Sequence, residues 1–412
     1  MRGHDPQKEA AVLDIFAPYL DLERNTNRKY TGGAYSLDRM AALADVAGNP
    51  QRRLRIVHVA GTKGKGSTCL FLTALLRAAD LSVGTFLSPH LVTIRERFLL
   101  NGQLTPYETL LRHARRFEQA VRERGLNPTF FEMMTVIGLI LFAEHGCEYA
   151  VLETGIGGLL DATNFIDAPA CTAIAAVSLD HTLLLGNTIP EIARQKAGII
   201  KEEIPVVCGA QPFPEAEQII RAEAGRKRAP FRHAPAAVDA EKWGLSELAD
   251  FQCENFATAL GICEVLGIVP VPARFAVPAL PGRMECIRRV PLVIIDAAHN
   301  ADSARRLACA LNRAFPGRRF TVVLGVTKGK DAEGILSRLV PVAGEFVLTH
   351  PLTDFKGSEL VGLERIARRM SVPYRRQDTL RSADELPQGA DLLFTGSFYT
   401  ALLGKRLFDA AD

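Results

Sequence analysis

The chain has 412 residues, of which 48% are hydrophobic and 23% are charged, and it contains 33 Gly and 23 Pro. This composition is that of an ordinary globular protein with enough apolar mass for two domains. The 49 Lys and Arg residues exceed the 46 Asp and Glu residues by only three, which argues against nucleic acid as the main partner.

Membrane insertion and secretion are also not expected from the sequence. The longest nearly unbroken apolar run, at residues 133–143, is far shorter than the ~20 residues of a membrane span. The first residues lack the apolar stretch of a secretory signal, and the eight Cys include no CxxC pair. We therefore expect a cytoplasmic protein with free thiols and no membrane partner.

The first part of the chain alternates short apolar runs with amphipathic stretches of helical length, which is typical of parallel sheets covered by helices. The predicted strands are at residues 55–60, 82–87, 149–152, 172–179 and 205–208. Predicted helices between them include residues 67–79 and 107–124. A Pro-rich segment at 267–281 follows and indicates a linker, because Pro interrupts helices and central strands.

The same alternation resumes beyond this segment. It predicts strands at residues 292–295, 320–324, 345–348, 373–375 and 392–394, with a helix after the last of them. We therefore predict two α/β domains, at residues 1–276 and 277–412.

The strongest local pattern is the glycine-rich sequence GTKGKGS at residues 61–67, which follows a β-branched strand and precedes a helix. Such a turn presents backbone N–H groups and a helix N-terminus to phosphate, and Lys65 adds a positive charge. We expect it to bind a nucleoside triphosphate. Because its spacing differs from the general Walker pattern, a glycine-rich turn without a ligand stays open as an alternative.

Three other predicted strands end in groups that can bind a metal, namely Ser88, Glu153 and His181. The carboxyl ends of parallel strands meet at one edge of a sheet. Mg²⁺ prefers oxygen ligands, so Ser88 and Glu153 are candidate ligands beside the triphosphate, with His181 at a second metal position. Each residue alone is equally well explained as a turn, surface or capping residue, but their coincidence with a phosphate loop favours a site.

The order of the motifs resembles that of the folylpolyglutamate synthetase and dihydrofolate synthetase family, within the Mur ligase superfamily. The matching stretches are HVAGTKGKGST (58–68), SPHL (88–91), IRERF (94–98), FFEMMT (130–135), ETGIGGLLDATN (153–164), SLDHTLLLGNT (178–188), QKAGIIK (195–201), FQCENFATAL (251–260), LPGRME (280–285), IDAAHN (295–300) and LGVTKGKD (324–331). The resemblance implies a P-loop NTPase-like parallel-sheet domain followed by a smaller Rossmann-like α/β domain.

The resemblance also implies roles for individual residues. It implies that ATP is bound by Thr62, Lys63, Gly64, Lys65, Gly66, Ser67, Asn255, Arg283 and Asp296. It implies divalent metal, Mg²⁺, on Ser88, Glu153, His181 and a carbamylated Lys196, although Lys196 alone would be interpreted as a solvated lysine near a helix end. The implied catalytic residues are Lys65, Lys196, Arg283, Asp296 and His299, and the implied folate-contacting residues are Phe131, Glu132 and Asp161.

The implied reaction is the ATP-dependent addition of L-glutamate to the terminal carboxylate of tetrahydrofolate or another folate through an acyl phosphate, by a monomer. Dihydropteroate stays open as a second substrate, because residues 23–33 do not clearly show the sequence that handles it. A Mur-type ligase for another carboxylate is an alternative, but only 54 residues precede the first strand, too few for a UDP-binding domain. A P-loop switch ATPase is a second alternative, which would not explain the IDAAHN segment or Lys196.

Overall fold

The computed structural model describes residues 4–19, 37–352 and 360–409, so the segment at 23–33 lies outside the described residues. The chain forms two compact units, His4–Pro278 and Ala279–Asp412. Each unit has its own sheet and its own hydrophobic core. Among the described residues, no helix combines the length and the apolar character needed to cross a membrane.

The first unit alternates strands with helices. Its strands are β1 (Arg55–Ala60), β2 (Val83–Phe86), β3 (Phe98–Leu100), β4 (Gln103–Leu104), β5 (Tyr149–Glu153), β6 (Cys171–Ile174), β7 (Val206–Cys208) and β8 (Phe231–His233). Its α-helices are α1 (Pro6–Phe16), α2 (Leu37–Val46), α3 (Lys65–Ala78), α4 (Tyr107–Glu123), α5 (Phe130–Glu144), α6 (Thr182–Leu185), α7 (Ile189–Ala197), α8 (Pro214–Arg226) and α9 (Asp250–Val265). Its short 3-10 helices are Pro50–Arg53, Ile94–Arg97, Ala162–Phe165 and Pro272–Arg274.

Within the described residues these strands form one sheet in the order β4-β3-β2-β5-β1-β6-β7-β8. Six strands, β2, β5, β1, β6, β7 and β8, run parallel to one another. Strands β3 and β4 extend the sheet beyond β2 with antiparallel pairing. In the central strand β1, Val57 pairs with Val151 on one side and with Cys171 on the other. The carboxyl ends of β1, β2, β5 and β6 therefore lie along one edge, where open α/β sheets bind their ligands.

The fourth predicted strand is shorter than its apolar run. We expected a strand at residues 172–179, but β6 ends at Ile174. Residues 175–178 stay buried after leaving the sheet, so their apolar character reflects burial and not strand pairing. There the carbonyl of Ala176 accepts hydrogen bonds from the N–H groups of Thr62 and Lys63, at 2.8 and 3.1 Å.

The apolar run at residues 133–143 forms most of α5. This helix is buried on nearly all sides, since it packs against α4 and against strand β2. A helix that is apolar all around is expected in such an interior position. By contrast, α4 buries only one face, formed by Leu110, Ala114, Phe117 and Val121, and leaves its charged face in solvent.

The second unit repeats the strand and helix alternation. Its strands are β9 (Glu285–Arg289), β10 (Leu292–Ile295), β11 (Phe320–Leu324), β12 (Ala343–Leu348), β13 (Tyr374–Arg376) and β14 (Leu392–Thr395). Its α-helices are α10 (Ala301–Ala314), α11 (Ala332–Leu339), α12 (Leu360–Arg369) and α13 (Phe398–Asp409). Within the described part of this unit, the sheet order is β13-β12-β11-β14-β10-β9, with β9 antiparallel to β10 and the others parallel.

The predicted α/β class is confirmed, since both sheets are mainly parallel and covered by helices. Four strands at or near sheet edges were not predicted, β3, β4, β8 and β9, whereas the edge strand β13 was. Strand β9 illustrates the reason: it contains two exposed arginines and buries no residue fully, so it lacks an apolar run. The Pro-rich segment at 267–281 contains only the 3-10 helix Pro272–Arg274.

Candidate active site

The loop between β1 and α3 has the backbone geometry of an anion-binding turn. Gly61 and Gly64 have φ angles of 154° and 84°, which residues with side chains rarely adopt. Helix α3 begins at Lys65, with Gly64 as its N-cap. The first turn of a helix has N–H groups without intrahelical acceptors, and the helix dipole makes this end positive. The loop can therefore offer these donors and the Lys65 ammonium to a phosphate.

The segment after β6 fixes the first half of this loop. The Thr62 hydroxyl donates to the carbonyl of Ser178 at 3.0 Å and accepts from the Ser178 N–H at 3.1 Å. The N–H groups of Thr62 and Lys63 are already bonded to Ala176. Thr62 and Lys63 thus shape the loop through their backbone, whereas the phosphate donors are expected at the start of α3.

Asn255 and Glu153 lie directly against the glycines of the loop. A Cβ atom on Gly64 would lie 2.0 Å from Oδ1 of Asn255, and one on Gly66 would lie 3.2 Å from Oε2 of Glu153. The positive φ at residue 64 favours glycine, and a side chain there would also have to displace the Asn255 amide. Asn255 belongs to α9, which packs along α3. Helix α9 and the carboxyl end of strand β5, which carries Glu153, therefore both meet this loop.

Glu153 and Ser88 form the oxygen-rich side of the site. The carboxylate of Glu153 is 5% exposed, accepts the N–H of Ser88 at 3.0 Å and lies 4.0 Å from Nζ of Lys65. A buried carboxylate and a neighbouring hydroxyl suit a hard divalent cation such as Mg²⁺. These two residues fit a metal bound together with phosphate oxygens.

His181, predicted at a second metal position, lies at the start of the short helix α6, and its metal role stays a prediction. This residue is exposed, has a φ of 50° and caps the short helix α6. Among the described residues, no three His, Cys, Asp or Glu side chains come together as a metal cluster. The neighbouring Asp180, which the sequence analysis did not single out, is buried and pairs with Lys63 at 3.0 Å. Its place directly after an apolar run was the available signal.

Lys196 lies on α7 and is 3% exposed, so it is not the solvated lysine that its helical position suggested. Its Nζ donates to the carbonyl of Gly61 at 2.9 Å. Burial, followed by the positive charge of Lys65, lowers the pKa of Lys196 to about 7. In a substantial fraction of the molecules, Lys196 is therefore a neutral amine at physiological pH.

The predicted folate-contacting residues occupy two kinds of environment. The half-buried Phe131 ring lies against Gly155, where an added Cβ would be 2.8 Å from the ring. Glu132 is instead bound by Arg39, whose guanidinium donates to both carboxylate oxygens at 2.8 and 2.6 Å, and Glu132 also caps α5 through Thr129. The sequence offered no sign of the Arg39 contact, which spans 93 residues.

Asp161 also has structural partners. It caps the 3-10 helix Ala162–Phe165, accepting from the N–H and hydroxyl of Thr163 and from the N–H of Ile156. The Thr163 hydroxyl in turn accepts from Nε2 of His58 at 2.7 Å. Burial lowers the pKa of His58 to about 3, so this histidine is neutral. Substrate contact by Glu132 or Asp161 stays a prediction.

Three predicted site residues lie in the second unit, and two of them contact one aromatic ring. The Arg283 guanidinium carbon lies 4.8 Å from the centroid of the Phe398 ring, and the His299 ring lies 6.1 Å from the same centroid. Nδ1 of His299 is 2.8 Å from the carbonyl of Ala297, which can only accept a hydrogen bond. The neutral form of His299 therefore carries its lone pair on Nε2.

Asp296 organises the backbone around these residues. Its carboxylate accepts the N–H of Met284 at 2.7 Å and that of Ala298 at 2.8 Å. Met284 has a φ of 51°, so the Asp296 contact holds the chain in an unusual conformation immediately after Arg283. Asp296 thereby positions the segment that carries Arg283.

Comparison with known proteins gives consistent matches. Residues 282–397 match the family model described as "Mur ligase, glutamate ligase domain". The dihydrofolate synthase/folylpolyglutamate synthase of Bacillus subtilis (strain 168) is 34% identical over 341 residues, which cover 74% of this chain and 79% of that protein.

Solved structures agree with this match. The folylpolyglutamate synthase of Mycobacterium tuberculosis, complexed with ADP and AMPPCP, has a TM-score of 0.82 and 29% identity, covering 97% of this chain and 99% of that one. A bifunctional folylpolyglutamate synthase/dihydrofolate synthase with Mn, AMPPNP and L-glutamate bound has a TM-score of 0.78 and 30% identity, covering 90% of this chain and 94% of that one.

Proposed function

The chain belongs to the folylpolyglutamate synthase/dihydrofolate synthase family of Mur ligases, and on this premise we propose that it ligates L-glutamate to a folate in an ATP-dependent reaction. The observation that carries the proposal is the meeting of the phosphate loop, Glu153 and Ser88 at the carboxyl edge of the first sheet. Tetrahydrofolate or one of its one-carbon forms is the proposed acceptor.

The proposed chemistry follows from the low reactivity of a carboxylate, which has no good leaving group. Its oxygen attacks the γ-phosphorus of ATP, and the bond to the leaving ADP breaks. The resulting acyl phosphate has a good leaving group. The glutamate amine attacks its carbonyl carbon and loses a proton, and phosphate departs with the former carboxylate oxygen.

The first unit supplies the groups that position ATP in this proposal. Lys65 and the N–H groups in the first turn of α3 bind the phosphates and offset their charge. Ser88 and Glu153 would hold a divalent cation, which when bound contributes further charge neutralisation and orientation. The buried pair of Lys63 and Asp180 supports this arrangement, because it fixes the loop without occupying Lys65.

The second unit supplies a candidate for each of the two steps. Arg283 is proposed to offset charge on the transferring phosphoryl group, and the lone pair on Nε2 makes neutral His299 the better-suited acceptor of the amine proton. Asp296 is committed to two backbone N–H groups, which supports a positioning role.

We also propose that Lys196 is carbamylated in the active enzyme. Its amine nitrogen would form a bond to the carbon of CO₂ and release a proton, giving an anionic oxygen ligand for a second cation together with Glu153 and His181. Burial and a pKa of about 7 support this reaction, because only the neutral amine is nucleophilic.

An omission experiment tests the proposed function. ADP release should require tetrahydrofolate, L-glutamate and Mg²⁺ together, and each omission should abolish it. Turnover without any folate would overturn the proposal and favour a switch ATPase, whereas turnover with a UDP-muropeptide would favour a Mur-type ligase for another carboxylate. A dihydropteroate arm decides whether dihydrofolate synthesis is a second activity, and sedimentation checks the proposed monomer.

A further inference from the structure

A buried carboxylate on the first helix lies outside the residues assigned so far. Glu9, on α1, is only 8% exposed. Its Oε1 accepts the N–H of Ile94 at 2.7 Å, and its Oε2 accepts the hydroxyls of Thr93 and Tyr107 at 2.6 and 2.8 Å. Burying a carboxylate is costly unless hydrogen bonds compensate, and here three donors do so.

Two of these donors come from the end of a loop that begins at the candidate metal site. This Ser88 loop, residues 88–93, joins β2 to the 3-10 helix Ile94–Arg97. At its start, the Ser88 N–H is bonded to Glu153. At its end, Thr93 and Ile94 are bonded to Glu9. The loop is thus fixed at one end by a site residue and at the other by α1.

Side chains of the following 3-10 helix bind the loop between its two ends. The Glu96 carboxylate accepts the N–H groups of Leu91, Val92 and Thr93, at 2.7, 3.0 and 3.2 Å. The buried Arg97 donates from Nε to Nδ1 of His90 at 2.9 Å. These hydrogen bonds join the loop to the 3-10 helix whose first residue is bonded to Glu9, so we expect the anchor at Glu9 to affect the placement of Ser88 and His90.

We propose that Glu9 is a positioning residue for the Ser88 loop, and that it sets the loop for the cation held at Ser88. The inference rests on the proposed function for the cation, and on the hydrogen bonds above for the anchoring itself. Glu9 does not contact the cation site; it acts through Thr93 and Ile94.

The test compares Glu9→Ala with Glu9→Gln and with a matched control, Tyr19→Phe. Gln retains an acceptor for Ile94, and the hydroxyls of Thr93 and Tyr107 can rotate to suit its amide. Tyr19→Phe removes a 3.0 Å contact from the Tyr19 hydroxyl to Glu118 on α4, so it loosens the same N-terminal region without touching the loop. Glu9→Asp, which withdraws the carboxylate by one methylene, replaces Glu9→Ala if the latter does not fold.

The first readout is hydrogen exchange of residues 88–97 in the protein without ligands, and the second is the Mg²⁺ concentration that gives half-maximal turnover. Glu9→Ala should speed exchange in this segment about tenfold and raise that Mg²⁺ concentration about tenfold. Glu9→Gln and Tyr19→Phe should resemble the unmodified protein in both readouts.

Unchanged exchange and an unchanged Mg²⁺ dependence in Glu9→Ala, with a lower melting temperature, would assign Glu9 a purely structural role and overturn the proposal. A protein inactive on every folate would instead overturn the proposed function, and the exchange comparison would still decide whether Glu9 anchors the loop.

Discussion

The side chain of Lys196 donates a 2.9 Å hydrogen bond from Nζ to the carbonyl of Gly61, the residue that opens the phosphate loop. The contact joins α7 to the end of β1 across 135 residues of sequence. It brings a buried amine with a lowered pKa beside the loop predicted to bind ATP. Lys196 is therefore within the candidate site, and a chemical role for it can be tested.

Replacing Lys196 with Ala should abolish most activity, because the carbamate oxygens proposed for the second cation are lost. Small carboxylic acids that enter the vacated space should restore part of the turnover, since they supply an anionic oxygen of the same kind. Steady-state assays with and without added acetate or formate measure both effects. If the protein without any substitution kept full activity after exhaustive removal of CO₂, the carbamate proposal would be contradicted.

Glu153→Gln and Lys65→Met should each lower kcat by about a thousandfold while leaving the fold intact. Gln keeps an acceptor for the Ser88 N–H but loses the negative charge, and Met keeps the length of the Lys65 stem without its ammonium. Turnover assays and thermal unfolding measure the two quantities. If either variant kept near-normal kcat and an unchanged Mg²⁺ dependence, that residue would have no role at phosphate or metal.

The buried His58 predicts a loss of stability in mild acid. Its pKa is about 3 in the folded protein and near 6.5 when exposed, so below pH 6.5 the unfolded chain binds the proton and the folded chain does not. The free energy of unfolding should therefore fall, by about 2 kcal/mol between pH 6.5 and pH 4.5 from this group. Denaturant unfolding of His58→Gln, whose amide can donate to Thr163, should show a smaller acid sensitivity. Identical pH profiles for the two proteins would contradict the assignment of a buried, neutral His58.

Phe398→Leu should lower kcat/KM about fivefold, because the ring that contacts both the Arg283 guanidinium and the His299 ring is removed while an apolar side chain remains. Phe408→Leu is the matched control, since Phe408 lies under Arg288 at 5.3 Å in the same way and no role is assigned to that arginine. Kinetics of both variants, alongside their melting temperatures, separate the two sites. An equal loss in the control would show that general packing, and not Arg283, is affected.

The sequence predicted those features that depend on residues close together in the chain. The buried strands β10 and β11 match their predicted bounds because apolar, β-branched runs mark central strands. The phosphate loop is likewise a contiguous pattern, and it forms the turn expected of it. Strand β9 lacks such a run because most of its side chains are exposed, so it was missed.

Contacts between distant residues could not be predicted in this way. Arg39 binds Glu132 and Glu9 binds Ile94 only because helices α1 and α2 pack near α4 and α5, and no local pattern specifies these pairs. The burial of Lys196 is a similar case, since its helical position alone suggests exposure. The candidate site therefore combines motifs that are visible in the sequence with partners that depend on the tertiary fold.

The most direct test of the proposed reaction follows the oxygen of the acceptor carboxylate. Tetrahydrofolate with oxygen-18 in its terminal carboxylate would be incubated with ATP, Mg²⁺ and L-glutamate, and both the folate product and the released phosphate would be analysed by mass spectrometry. The account predicts a folate lengthened by one glutamate, together with phosphate that carries one labelled oxygen, because the acyl phosphate breaks between carbon and that oxygen. Unlabelled phosphate, or ADP formed without any lengthened folate, would contradict it.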